Sequence, residues 1–200
     1  MSAMLPHFEG DELIFHGPRV DFVLRPQTTK SGRVRKREVV LHPGAVIILP
    51  VLDDGRLVMI RNHRHTVHET LLELPAGTLE RDAKAVPEDP LACAARELTE
   101  ETGYRAAKIE PFGWFYTSPG ILTEKMYAFV ATGLTPGAQE LEDSEQIEVA
   151  VMHPDQVRTQ IQENRIVDAK SIATLLKYLM CTQAPCADER NIGHSHSDAR

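Results

Sequence analysis

The 200-residue chain carries 22 Lys and Arg against 29 Asp and Glu, a formal net charge of −7, with 42% hydrophobic and 26% charged residues. That balance excludes nucleic-acid binding through a basic surface and matches the core of one ordinary globular domain. No apolar run reaches the ~18 residues of a membrane span, the N-terminal stretch has no basic region ahead of an apolar one, and Cys93, Cys181 and Cys186 make no disulfide framework. The expected setting is therefore a reducing cytoplasm with no membrane partner.

Residues 11–16 (DELIFH) and 19–26 (RVDFVLRP) read as short strands joined around Gly17-Pro18. The polar, basic stretch 28–37 is predicted to be an exposed turn flanking a third strand, REVVLH. AVIILPVL (45–52) has the β-branched, continuously apolar character of a strand buried on both faces. Pro50 cannot donate to a ladder, which predicts an edge or a bulge there. Asp53-Asp54-Gly55 makes a turn, LVMIRN (57–62) returns as a partner strand, and LLEL (71–74) is a further strand broken by Pro75-Ala76-Gly77. A helix follows, with Asp89 as N-cap, Pro90 at the first position and Gly103 just past the end. Leu91, Ala94, Ala95, Leu98 and Thr102 have the spacing of its buried face, which predicts Glu97, Glu100 and Glu101 largely on the other side. Strands are expected again at 112–116, 125–131 and 147–152, then helices from Pro154 to Glu163 and from Asp168 to Met180, the last burying Ile172, Leu175, Leu176 and Leu179. Residues 181–200, including His194 and His196, lose periodicity and are expected to be a disordered tail. This order predicts an α+β fold in α/β/α layers.

AARELTEETGY (94–104) sets the functional question, because Glu97, Glu100 and Glu101 stack like charges on adjacent helical turns. The cluster reads either as a solvated acidic face or as a site for a hard divalent cation such as Mg²⁺, which takes carboxylate oxygens, water and substrate phosphates. Arg96, four residues before Glu100, is placed to brace it.

The surroundings of that helix resemble the signature of the Nudix hydrolases. Glu88 is followed by seven residues and then by Arg96-Glu97-Leu98-Thr99-Glu100-Glu101-Thr102-Gly103-Tyr104, as in the family. The first half departs: ten residues separate Gly77 from Glu88 where the family has five. An insertion there is expected to lengthen a surface loop and leave the helix in place. The resemblance implies a Nudix-type α/β/α sandwich with a mixed sheet over residues 43–180, behind an N-terminal β segment, 1–42, through which relatives form homodimers. It implies Mg²⁺, with Mn²⁺ as the alternative, bound by Glu97, Glu100, Glu101 and a backbone carbonyl at Ala76 or Gly77, with Arg96 and Glu88 as a supporting pair. The implied reaction is hydrolysis of a diphosphate linked to another moiety.

LLELPAGTLE (71–80) and FYTSPGILTEKMYAFVA (115–131) further resemble ADP-ribose pyrophosphatases and related nucleotide-sugar hydrolases, which have a Pro sixteen residues beyond the last signature Gly, here Pro119. That likeness implies hydrolysis of ADP-ribose to AMP and ribose 5-phosphate. Other nucleotide sugars, GDP-mannose and ADP-glucose among them, are the alternative, with a non-catalytic ADP-ribose sensor as a further one. It also implies that Arg64 contacts substrate phosphate, that Glu124 lies toward the ribose, and that the general base comes from the acidic loop of Glu142, Asp143 and Glu145, with Glu145 aligning best. Phe15, Phe22 and Trp114 are candidates for base stacking, with core packing the commoner role for such residues. Cys93 reads as a small packing residue, since no His is spaced to activate it.

Overall fold

The computed structural model describes residues 4–80, 86, 88–143 and 145–182. Its strands are β1 (Glu12–His16), β2 (Asp21–Thr28), β3 (Val34–Leu41), β4 (Ala45–Pro50), β5 (Leu57–Arg64), β6 (Glu69–Glu73), β7 (Ala76–Thr78), β8 (Arg105–Tyr116), β9 (Lys125–Thr135) and β10 (Ile147–Met152). Its helices are α1 (Pro90–Thr102), α2 (Pro154–Gln162) and α3 (Ala169–Cys181). The strands form three sheets, ordered β1-β2-β3, β10-β5-β6 and β7-β4-β9-β8. The last is mixed, because β4 runs parallel to β9 while β7 and β8 pair antiparallel.

Strand β4 is buried along its whole length, as its apolar run predicts. Val46 and Ile48 pack with Cys93, Ala94 and Leu98 of α1. Ile47 and Leu49 point the other way, into a core shared with Leu57, Met59, Val157 and Leu175. The period of two thus distributes one strand between two layers. Pro50 closes β4 beyond the reach of β7, which pairs only with Ala45–Ile47, so the missing N–H falls where the β7 ladder has already ended.

Several boundaries differ from the sequence reading. The basic residues 34–37 belong to β3 rather than to a turn, paired with Arg25–Thr28 of β2. β8 begins at Arg105, seven residues before the expected start, and is bent by a register shift between Pro111 and Gly113. β7 has no sequence signal, since three residues carry no period, and pairing with β4 makes them a strand. In α3 the buried residues are Ser171, Thr174, Leu175 and Leu179, and Leu176 faces outward. The helix takes in Cys181, the first residue of the tail expected over 181–200, and residues 183–200 lie outside the described ones.

The N-terminal sheet is locked by one fully buried carboxylate. Asp21 accepts from Leu5 N–H at 2.9 Å, and lies 2.6 Å from His16 Nδ1 and 3.5 Å from His7 Nε2. Burial pushes its pKa up, but the bonds from His16, Leu5 and His7 outweigh that and hold it below the ordinary value. β3 is stitched to the loop before β9 through Val40 N–H to Ile121 O at 2.8 Å and Thr123 N–H to Val40 O at 3.0 Å.

Candidate active site

Helix α1 starts and stops where its capping residues dictate. Asp89 accepts from Leu91 and Ala92 N–H groups at 3.0 Å each, Pro90 fills the first turn, and Gly103 takes the left-handed conformation at φ 74°. The buried face, however, is rotated from the one the apolar spacing predicts. Cys93, Ala94, Glu97, Leu98, Glu101 and Thr102 are inside, while Leu91 is 46% exposed. The reason lies at β7. Glu97 lies against Gly77 so closely that a Cβ there would meet Glu97 Cδ at 1.8 Å. Glu101 accepts from Ala76 N–H at 2.8 Å. The sheet edge therefore draws two of the three carboxylates inward.

Arg96 ties the cluster together. Its Nη1 donates to Glu97 Oε1 and Glu100 Oε2, at 2.8 Å each, while Nε and Nη2 reach the two oxygens of Glu88 at 3.2 and 3.0 Å. That last fork is the supporting pair implied by the signature. It survives the insertion because Glu88 N–H donates to Glu80 O at 2.7 Å, closing the longer loop at its base. Most of the inserted residues lie outside the described ones. The guanidinium holds the Glu88 carboxyl below the usual carboxylate range.

Burial, with too little compensation, pushes Glu97 up to about 7 and Glu101 up to about 8. Glu145 lies near enough for its charge to act on both, and its carboxylate accepts from Glu142 N–H at 2.9 Å. Glu142 and Asp143 are exposed. Gln139, which the sequence reading did not single out, donates to Glu101 O at 2.6 Å, and Glu140 N–H donates to Glu100 O at 3.0 Å. They seat the acidic loop on the end of α1.

As they stand, no three His, Cys, Asp or Glu side chains among the described residues converge into a cation cage. At Glu97 and Glu100 the guanidinium of Arg96 occupies the bridging position. The donor set nevertheless fits a hard divalent cation. Each carboxylate spends one oxygen on the chain: Glu97 Oε1 and Glu100 Oε2 on Arg96, and Glu101 Oε2 on Ala76. The second oxygen of each makes no hydrogen bond among the described residues. Free carboxylate oxygens on one helix face are the hard ligands such a cation takes. At Ala76 the observed contact with the cluster is made by its N–H.

The other expected residues are distributed unevenly. Arg64, at the end of β5, forks onto the buried Glu73 at 2.6–3.2 Å, and its charge acts on Glu101. Glu124 accepts from Thr117 Oγ1 at 2.6 Å and lies 3.4 Å from His42 Nε2. Pro119 sits in an exposed turn where Ile121 and Leu122 N–H groups donate to Ser118 O at 3.1 and 2.8 Å. Neither Glu124 nor Pro119 is hydrogen-bonded to the α1 carboxylates; their loop belongs to the junction of β3 and β9. Phe15 and Trp114 are 60% and 55% exposed and so do not pack in the core, and Lys125 Nζ stands 4.2 Å over the Trp114 ring. Cys93 is fully buried, with its thiol pushed up by desolvation, as suits a packing residue.

Comparisons with known proteins identify the family. The NUDIX domain profile matches residues 41–175. The chain is 36% identical over 175 residues to the ADP-ribose pyrophosphatase of Bacillus subtilis, covering 86% of this chain and 91% of that one. It is 34% identical over 175 residues to the methanol dehydrogenase activator of Bacillus methanolicus, with the same shares covered. The solved structure of an ADP compounds hydrolase superposes with a TM-score of 0.74 at 19% identity, over 92% of this chain and 97% of that one, which is a likeness of fold. A domain match across more than half of the chain, and a relative aligned over most of both lengths, establish that this chain belongs to the NUDIX family of hydrolases.

Proposed function

We propose that the chain hydrolyses the diphosphate of ADP-ribose, yielding AMP and ribose 5-phosphate, with Mg²⁺ as the working cation and Mn²⁺ as a substitute. The observation that carries this reading is the trio of Glu97, Glu100 and Glu101, each with one oxygen held by the chain and one left over. When bound, the cation neutralises diphosphate charge and makes water a better nucleophile.

The chain's own residues do the rest. Arg96 orients Glu97 and Glu100 while Glu88 anchors Arg96 from behind. Arg64 presents a guanidinium to a substrate phosphate, a geometry suited to paired hydrogen bonds. Glu145, the acidic-loop residue whose charge acts on Glu97 and Glu101, accepts the proton of the attacking water. The water oxygen joins one phosphorus, the bridging P–O bond breaks, and the bridging oxygen leaves on the other phosphate. Glu124 and Pro119 form the ribose side of the site.

The same reading makes residues 1–42 an N-terminal segment that pairs two copies into a homodimer, and 43–180 the hydrolase domain, acting in a reducing cytoplasm. Every residue of β1 is exposed, including Leu13, Ile14 and Phe15. The substrate assignment is tested by kcat/KM for ADP-ribose, ADP-glucose and GDP-mannose with Mg²⁺. The highest value is expected for ADP-ribose. A higher value for GDP-mannose would keep the chemistry and overturn the substrate.

A further inference from the structure

Behind Arg64 lies a chain of charges that the reaction as described does not use. Glu73, the last residue of β6, is fully buried and accepts from Arg64 Nε at 3.0 and 3.2 Å and from Nη2 at 2.6 Å. Lys170, in the first turn of α3, reaches the same Glu73 Oε2 at 2.9 Å and Asp168 Oδ1 at 2.8 Å. Asp168 caps α3, accepting from Ser171 N–H at 3.0 Å and from its hydroxyl at 2.5 Å. The Ser171 hydroxyl oxygen accepts in turn from Leu74 N–H at 2.8 Å, the residue next to Glu73. The start of α3 is thus bolted to the end of β6.

A structural ion pair needs one cation for Glu73, and here there are two. Alone with Arg64, a fully buried carboxylate holds the guanidinium with its whole charge. Lys170 shares Oε2 with Arg64 Nη2 and divides that charge. The bonds to Glu73 use Nε and Nη2, and Arg64 Nη1 makes no hydrogen bond among the described residues. The Arg64 side chain remains 35% exposed. Arg64, Lys170, Glu73 and Asp168 sum to zero; without Lys170 the group carries a negative charge beside a site that must attract a diphosphate.

We propose that Lys170, acting through the buried Glu73 carboxylate, is a positioning residue that fixes Arg64 with its Nη1 edge turned out toward the substrate diphosphate. This makes α3 a determinant of substrate affinity through Arg64. The inference rests on the reading of Arg64 as a phosphate ligand.

The test is steady-state kinetics on ADP-ribose with Mg²⁺ for wild type, Lys170→Met, Lys170→Arg, Arg64→Ala and the Arg64→Ala/Lys170→Met pair. Lys170→Met is expected to raise KM about tenfold with kcat held within about twofold, the signature of lost binding rather than lost chemistry. Lys170→Arg is expected to restore most of the affinity, because a guanidinium still bridges Glu73 and Asp168. The double variant is expected to have the KM of Arg64→Ala alone, since Lys170 acts only through Arg64. If Lys170→Met fails to fold, Lys170→Gln carries the same requirement of a raised KM at constant kcat. Additive KM effects, a fall in kcat with KM unchanged, or a wild-type KM in Arg64→Ala would each overturn the proposal and leave the hydrolase assignment standing. A wild type that releases no AMP would overturn the substrate assignment instead. The network is then judged by calorimetric affinity for inorganic pyrophosphate, where the same order of variants is required.

Discussion

Gly77 is a glycine because Glu97 fills the space its side chain would take. Gly77→Ala is expected to force Glu97 out of place, costing about 1–3 kcal/mol by overpacking and most of the activity with it; urea denaturation and AMP release check the two effects separately. Glu97 and Glu101 also govern how stability depends on pH when metal is withheld. Their ordinary value is 4.5, and in the folded chain they stand at about 7 and about 8. Below 4.5 both are protonated in either state and cost nothing. Above it the unfolded chain releases protons that the folded chain retains, so stability falls as pH rises through about 8. Asp21 and Glu88, whose values are lowered, act in the opposite sense and only at more acid pH, as they protonate. With EDTA present, the urea midpoint is therefore expected to be lower near pH 9 than near pH 6. Saturating Mg²⁺ is expected to narrow the gap, and a flat profile in EDTA would refute the burial argument.

At the scale of elements, α1 is the part most legible in the sequence, because its limits are set locally by Asp89, Pro90 and Gly103. Asp89→Ala should remove two capping bonds and cost about 1 kcal/mol, read as a lowered urea midpoint, with the pattern of substrates unchanged. The rotation of α1 was not legible. Apolar spacing favours Leu91 and Ala95, but the helix turns to meet Gly77 and Ala76, and that contact exists only after β7 has paired with β4. Strand β7 escaped for the same reason. The signature spacing gave away the Arg96–Glu88 fork, eight residues apart, even across an insertion. The Glu73–Lys170 bond joins residues 97 apart and leaves no local trace.

At the scale of the molecule, α1 and α3 press on opposite faces of the β7-β4-β9-β8 sheet, and the loop of Gln139 and Glu140 is bonded to the end of α1. The exposed β1 lies apart from this body, in a sheet joined to it through Val40 and the loop before β9. If β1 pairs two copies, Phe15→Glu should shift the sedimenting species from dimer to monomer at little cost to folding, since Phe15 is already 60% exposed; an unchanged species would remove β1 from the interface. The central claim is that the inward-drawn carboxylates of α1 make the chain a metal-dependent hydrolase. It is met most directly by measuring AMP release from ADP-ribose with Mg²⁺ by the wild type and by Glu101→Gln. A loss of ~10²-fold or more is expected in a variant that folds normally. Near-normal turnover by the folded variant would contradict it.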